Sequence, residues 1–302
     1  MSDAAMSVTI EWFGCATFRV RVGGLTLFFD TYLDKAPGVP PAGLRAAEVD
    51  RADFLFISHA HWDHLYGADI IAKATGATVV GNYESVRLMR ANGVPDAQIV
   101  ATAGGDTIDC GDGVTVRALP SQHSGLYAPS SPDSGQDCLG DLGVPAQQRQ
   151  ARTQAVFGRV FTLSDEDRAC FDLANHSTSS YDGGQLAYLL ESPAGSLLVT
   201  SSAGYWRGIF EPLRSDVAIL GATGRPVLDG EPYQGSLAGF LAGQAALLGH
   251  PEVIFCHYDP LAPPLFGATD IIAAETRLKE IPGQGYRRLE YGAPTVILPK
   301  RL

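Results

Sequence analysis

Short apolar runs, each closed by glycine, proline, asparagine or aspartate, recur along the whole chain. Residues 53–58 (Asp-Phe-Leu-Phe-Ile-Ser) read as a buried strand, and the pattern over 65–75 predicts a helix. A strand over 77–81 follows, then a helix over 83–91 ended by Asn92-Gly93. Residues 99–101 form a short strand, and the turn Gly111-Asp112-Gly113 feeds another over 114–119. The second half repeats the style, with strands near 185–191, 196–200, 217–220, 253–257 and 294–298 and helices over 234–248 and 269–281. Two halves of strands followed by helices fit an α/β (α+β) four-layer αββα sandwich, two mixed β-sheets packed together with helices outside. The 302 residues then form a single domain.

Residues 125–183 fit neither half. The segment opens with the turn-rich 125–135 and continues through helix candidates at 145–157 and 164–173, the second of which Ser164 can cap. A structureless stretch of about 60 residues is unusual inside a compact domain. The segment is therefore read as a partly helical insertion near the active site, a lid or pocket wall rather than a surface excursion.

Composition narrows the class. Apolar content of 45% and charged content of 18% describe an ordinary globular protein. A net charge of −11 argues against a nucleic-acid partner, because phosphate backbones need a basic footprint. The five cysteines are scattered, odd in number and without Cys-x-x-Cys spacing, which suits reduced thiols and a cytoplasmic location. Cys256, beside His257, reads as a buried strand cysteine rather than a site thiol. No apolar stretch has the length of a membrane span, and residues 1–10 lack the features of a secretory signal.

The chemistry concentrates in His59-Ala60-His61-Trp62-Asp63-His64, where three of the chain's seven histidines fall within six positions after a strand. At i and i+2 of an extended segment, His59 and His61 point to the same side and can hold one metal ion. Asp63 and His64 follow the turn and suit a second ion. Asp30, ending a strand-like run, can orient a histidine or serve only as a turn residue.

This cluster resembles the His-x-His-x-Asp-His signature of the metallo-β-lactamase superfamily. The stretch 10–30 is similar to the opening hairpin of the branch that includes ascorbate-6-phosphate lactonase and the phospholipase D acting on N-acyl phosphatidylethanolamines. The resemblance implies the αββα fold and further ligands at His123 and His257. It assigns His59, His61 and His123 to one ion and Asp63, His64 and His257 to another, with Asp63 and His257 as catalytic candidates. It also implies one or two divalent ions, zinc first and manganese or iron as alternatives. A metal-bound hydroxide would then cleave an ester, lactone, amide or phosphodiester bond in a small metabolite. A single-iron oxidoreductase of the dioxygenase kind, or a catalytically silent binding protein, are the alternatives on the same fold.

One position departs from the family pattern. The strand over 196–200 is followed by Ser201-Ser202-Ala203-Gly204, which places Ser202 where the family carries a metal-bridging aspartate. Asp216, the next acid beyond Glu211, begins another strand and lies too far along to substitute. A neutral hydroxyl is a weak ligand, so the centre becomes more electropositive and suits an anionic or carbonyl substrate, or it loses activity. Tyr205, Trp206, Tyr258 and Asp259 adjoin the site turns as pocket candidates. His250 reads as a helix terminus and His176 as a loop residue.

Overall fold

The computed structural model describes residues 6–125, 137–157, 164, 165, 168, 177–263 and 266–299. One seven-stranded sheet contains β1 (Val8–Trp12), β2 (Phe18–Val22), β3 (Leu25–Phe29), β4 (Phe54–Phe56), β5 (Thr78–Gly81) and β6 (Ile99–Ala101) in spatial order, with β17 (Thr295–Leu298) on the outer side of β1. The second contains β7 (Thr107–Gly111), β8 (Val114–Pro120), β9 (Leu186–Ser192), β10 (Gly195–Thr200), β12 (Val217–Gly221), β15 (Glu252–Cys256) and β16 (Tyr286–Arg287). A small third sheet joins β11 (Gly204–Tyr205), β13 (Val227–Leu228) and β14 (Glu231–Pro232). Both large sheets are mixed: β1–β3 and β7–β10 pair antiparallel, whereas β3–β6 and β10, β12, β15 and β16 run parallel.

Side-chain alternation explains the layering. In β10, Leu197 and Val199 enter the core between the sheets, while Leu198 faces the outer helices. In β12, Val217 and Ile219 point inward and Ala218 and Leu220 outward. Strands apolar on both faces are the mark of a sheet covered on both sides. The outer face of the second sheet is covered by α5 (Leu237–Leu247) and α6 (Ile272–Lys279), through Phe240, Leu241, Ala274 and Leu278. The outer face of the first is covered by α2 (Ala68–Thr75) and α3 (Tyr83–Ala91), through Ile71, Ala72, Leu88 and Met89. The chain thus has the four-layer αββα architecture. No helix among the described residues is long and apolar enough to cross a membrane.

Several expectations change in detail. The helix expected over 65–75 is two helices, α1 (Trp62–Leu65) and α2, separated at Tyr66-Gly67. Gly67 has φ 92°, and a Cβ there would lie 2.9 Å from the Cβ of Ala46. The break turns α1 back so that the His64 carbonyl accepts from Thr31 N. Strands β7, β11, β13, β14 and β16 were not legible; all but β7 are two residues long, too short for periodicity.

The segment expected as an insertion contains α4 (Ala146–Phe157), and its described residues are tied to the second sheet's loops by Arg225, whose guanidinium is buried. Arg225 Nη1 lies 3.1 Å from Asp141 Oδ2, and its Nη2 donates to the carbonyls of Cys138 and Gly140. Its C-terminal end runs beside the histidine loop: Ala60 N donates to Asp182 O, and Ser179 N donates to Ala60 O. The helix expected over 164–173 and the loop holding His176 lie largely outside the described residues, as does Cys170.

Candidate metal centre

The site residues stand where strands end. His59 and His61 follow β4, His123 follows β8, Ser202 follows β10, His257 follows β15 and Asp30 follows β3. In an αββα sandwich these turns lie along one edge, so residues remote in sequence converge there.

His59 Nε2 lies 3.1 Å from His61 Nδ1, and the His123 ring centroid is 4.8 Å from each of theirs. On the other side, Asp63 Oδ2 lies 3.2 Å from both His64 Nε2 and His257 Nε2, which are 3.1 Å from each other. Ligand atoms about 2.0 Å from a tetrahedral ion stand about 3.3 Å apart, so each set has the edge lengths of a metal site. The ring centroids of His59 and His64 are 3.9 Å apart, and the two sets therefore adjoin.

Hydrogen bonds behind the rings select the nitrogens that face inward. Asp30 Oδ2 lies 2.7 Å from His64 Nδ1, which leaves Nε2 toward Asp63 and His257. Asp30 also accepts from Ser58 N and Ser58 Oγ, and that hydroxyl is 3.1 Å from His59 Nδ1. His123 Nδ1 donates to the Ser124 carbonyl at 2.7 Å. Burial lowers His59, His61 (to about 3) and His123, so these imidazoles are neutral and can offer lone pairs to a cation. Burial alone would lower His64 too, but Asp63 and Asp30 carry it up to about 10. Burial would raise Asp63, yet His64 and His257 hold it well below the ordinary carboxylate range.

Ser202 occupies the turn after β10 and lines the small cavity over the centre, and its Oγ accepts from Ser124 N at 2.9 Å. It braces the turn that carries His123. The turn also needs Gly221, where a Cβ would lie 2.6 Å from Ser202 N. Asp216 is engaged with Ser196, from whose N and Oγ it accepts, at the other end of β10.

The pocket candidates divide. Trp206 lines a cavity of about 470 Å³ together with His61, His123, Arg149 and Asp182. Tyr205 does not: it is buried on the outer face of the second sheet against Phe210 and Phe240. The backbone is extended at Trp206, so the two neighbouring side chains point to opposite sides and only one faces the site. Tyr258 likewise packs on Trp12, at 5.2 Å between centroids, and lines no site cavity. A smaller cavity of about 60 Å³ lies over the centre, with Trp62, Leu261 and Phe266 as apolar walls beside His61, Asp63 and His257. His250 follows the end of α5 and meets Gln284, in a cleft at the opposite end of β15. Cys256 is a buried core residue.

Three residues escaped the sequence reading. Ser58 closes the apolar run 53–58, and nothing in that pattern marks its contacts with Asp30 and His59. Lys35 buries an ammonium near Asp63, and Cys15 packs a thiol against the Asp63 backbone carbonyl. A lone lysine or cysteine in a loop carries no local signal of such a position.

Residues 26–142 match the family described as the beta-lactamase superfamily domain. A UPF0173 metal-dependent hydrolase of Pyrobaculum neutrophilum is 39% identical over 115 residues, which cover 38% of this chain and 50% of the relative. The chain thus spans about half the length of the curated relatives it matches. Among solved structures, Igni18, a metallo hydrolase from Ignicoccus hospitalis, aligns over 96% of this chain and 98% of its own, with TM-score 0.62 and 17% identity. CmlA, a diiron β-hydroxylase from Streptomyces venezuelae, aligns over 97% of this chain and 55% of its own, with TM-score 0.57 and 15% identity. Over residues 26–142 this chain is thus similar to the beta-lactamase superfamily domain, and its fold is that of solved metallo hydrolases.

Proposed function

We propose that the protein is a metal-dependent hydrolase acting on a small metabolite at a centre of two ions. The observation that carries this reading is the pair of adjoining ligand sets, His59/His61/His123 and Asp63/His64/His257, facing one small cavity. The family match and the metal-dependent hydrolases among its relatives support it. Bound divalent ions would supply Lewis acidity to a scissile carbonyl or phosphoryl group and to water; zinc suits this nitrogen-rich donor set.

The chain's own residues do the positioning. Asp30 and Ser58 fix the His59 and His64 rings, so little reorganisation is needed during turnover. Asp63 keeps a negative charge between two imidazoles. Trp62, Leu261 and Phe266 exclude water on one side, while Arg149, Gln122 and Trp206 offer a polar wall on the other. An apolar substituent fits the first wall and a polar one the second, where Arg149 is held by Glu231 and the Gly230 carbonyl. The insertion contributes Arg149 and Thr153 of α4 to that wall and so acts in substrate selection.

The test joins metal content to turnover of a panel of esters, lactones, amides and phosphodiesters. Hydrolysis that disappears with chelator and returns with zinc or manganese is expected. Hydrolysis by metal-free protein would overturn the mechanism, and iron with dioxygen consumption but no hydrolysis would replace it with an oxidoreductase.

A further inference from the structure

Cys15 lies in the turn between β1 and β2, with its side chain fully buried. The turn is clamped to the His257 loop. Cys15 N donates to the Asp259 carboxylate at 2.9 Å, and Cys15 O accepts from His257 N at 2.9 Å. Asp259 is itself held by Tyr291 Oη. This places Cys15 Sγ 4.0 Å from Asp63 Oδ2, and 3.3 Å from the Asp63 carbonyl oxygen, to which the thiol donates. Sγ, an Asp63 oxygen and ring nitrogens of His64 and His257 all lie within 4.8 Å of one another.

We propose that Cys15 is a fourth protein ligand of the second ion, bound as a thiolate that supplies the negative charge Ser202 does not. The inference rests on the two-ion reading of the site. A zinc–sulfur bond of about 2.3 Å and a zinc–oxygen bond of about 2.0 Å would set Sγ about 3.5 Å from the carboxylate oxygen. The observed 4.0 Å needs a shift of the sulfur smaller than a bond length. On binding, the S–H bond breaks, its electron pair forms the sulfur–metal bond, and the proton leaves to bulk water.

A second observation points the same way. The ammonium of Lys35 is buried without a hydrogen-bond partner, and its electrostatic neighbours are Cys15, Asp259 and Asp63. The face of the Tyr32 ring, 4.2 Å from Nζ, offsets part of the cost of burying that cation, and a thiolate at Cys15 would offset more of it than a neutral thiol. Other described cysteines do not compete: Cys256 points its thiol at Thr200 O, Cys110 lies in β7, and Cys138 pairs with Gly235.

Cobalt titrated into the whole protein reads the sulfur directly. Two bound equivalents should give a sulfur-to-cobalt charge-transfer band, and X-ray absorption of the zinc form should show one sulfur neighbour at about 2.3 Å for every two ions. Cys15→Ser should abolish the band and weaken one of the two binding events at least tenfold, while Cys138→Ser keeps both. Two bound ions with neither band nor sulfur neighbour would refute the role of Cys15 and leave the hydrolase reading standing. A band that survives Cys15→Ser would do the same. Failure to bind any cobalt would overturn the metal centre itself. The X-ray absorption measurement needs no variant, so the outcome does not depend on how Cys15→Ser folds.

Discussion

Asp30 and His64 are joined by a 2.7 Å contact between Oδ2 and Nδ1, with both side chains about 1% exposed. The carboxylate sits at φ 53° just past β3, and its other contacts are to Ser58. One buried acid therefore fixes the ring of a candidate ligand and the loop that carries two more. Asp30→Asn keeps the volume but removes the charge that holds Nε2 toward the centre. The affinity for zinc should fall by about 10- to 100-fold, as measured by calorimetric titration, with little change in the circular dichroism.

His61→Ala removes one edge of the set formed with His59 and His123. Metal content measured by mass spectrometry should fall by one ion per chain, and turnover should be lost. Retention of two ions would show that the first site is built from other residues.

Ser202→Ala leaves the buried Ser124 N without its acceptor. Stability should drop by about 1–3 kcal/mol in denaturant titration. Because the same turn carries His123, zinc binding should weaken too. Gly221→Ala should cost at least as much, since its Cβ would meet Ser202 N at 2.6 Å and neither strand can move freely.

Lys35→Met should stabilise the metal-free protein at pH 7 by about 1 kcal/mol, because the native ammonium is buried with no hydrogen-bond acceptor and only the face of the Tyr32 ring, 4.2 Å from its centroid, as a partner. Burial pushes Lys35 below the ordinary lysine value. Between its folded and unfolded values the native state binds fewer protons than the unfolded chain, so wild-type stability rises with pH there. The advantage of the variant should shrink as the pH climbs toward the ordinary lysine range. A constant difference from pH 7 to 10.5 would contradict the buried placement.

Arg225→Met cuts the tie between the body and the insertion. Proteolysis within residues 137–157 should become faster, and KM should rise while metal content stays unchanged. Unaltered cleavage and KM would remove the insertion from substrate selection.

Local pattern alone determined much of this protein. The layers follow from runs such as 196–200 and 217–220, whose alternate residues enter opposite cores, and periodicity is a property of the chain itself. His59, His61, Asp63 and His64 were legible because six consecutive residues hold them, and the geometry of one strand end and one turn brings them together. What only tertiary structure decided is which distant groups join them. Cys15 meets Asp259 across 244 positions, and His64 meets His257 across 193. Nothing near Cys15, Lys35 or Ser58 distinguishes them from ordinary loop residues, and nothing near Tyr205 shows that β11 faces it away from the site where Trp206 faces in. Side-chain direction at a strand end depends on where the chain goes next. Convergence at the sandwich edge depends on the two sheets closing over their shared core, and that closure is a property of the whole chain.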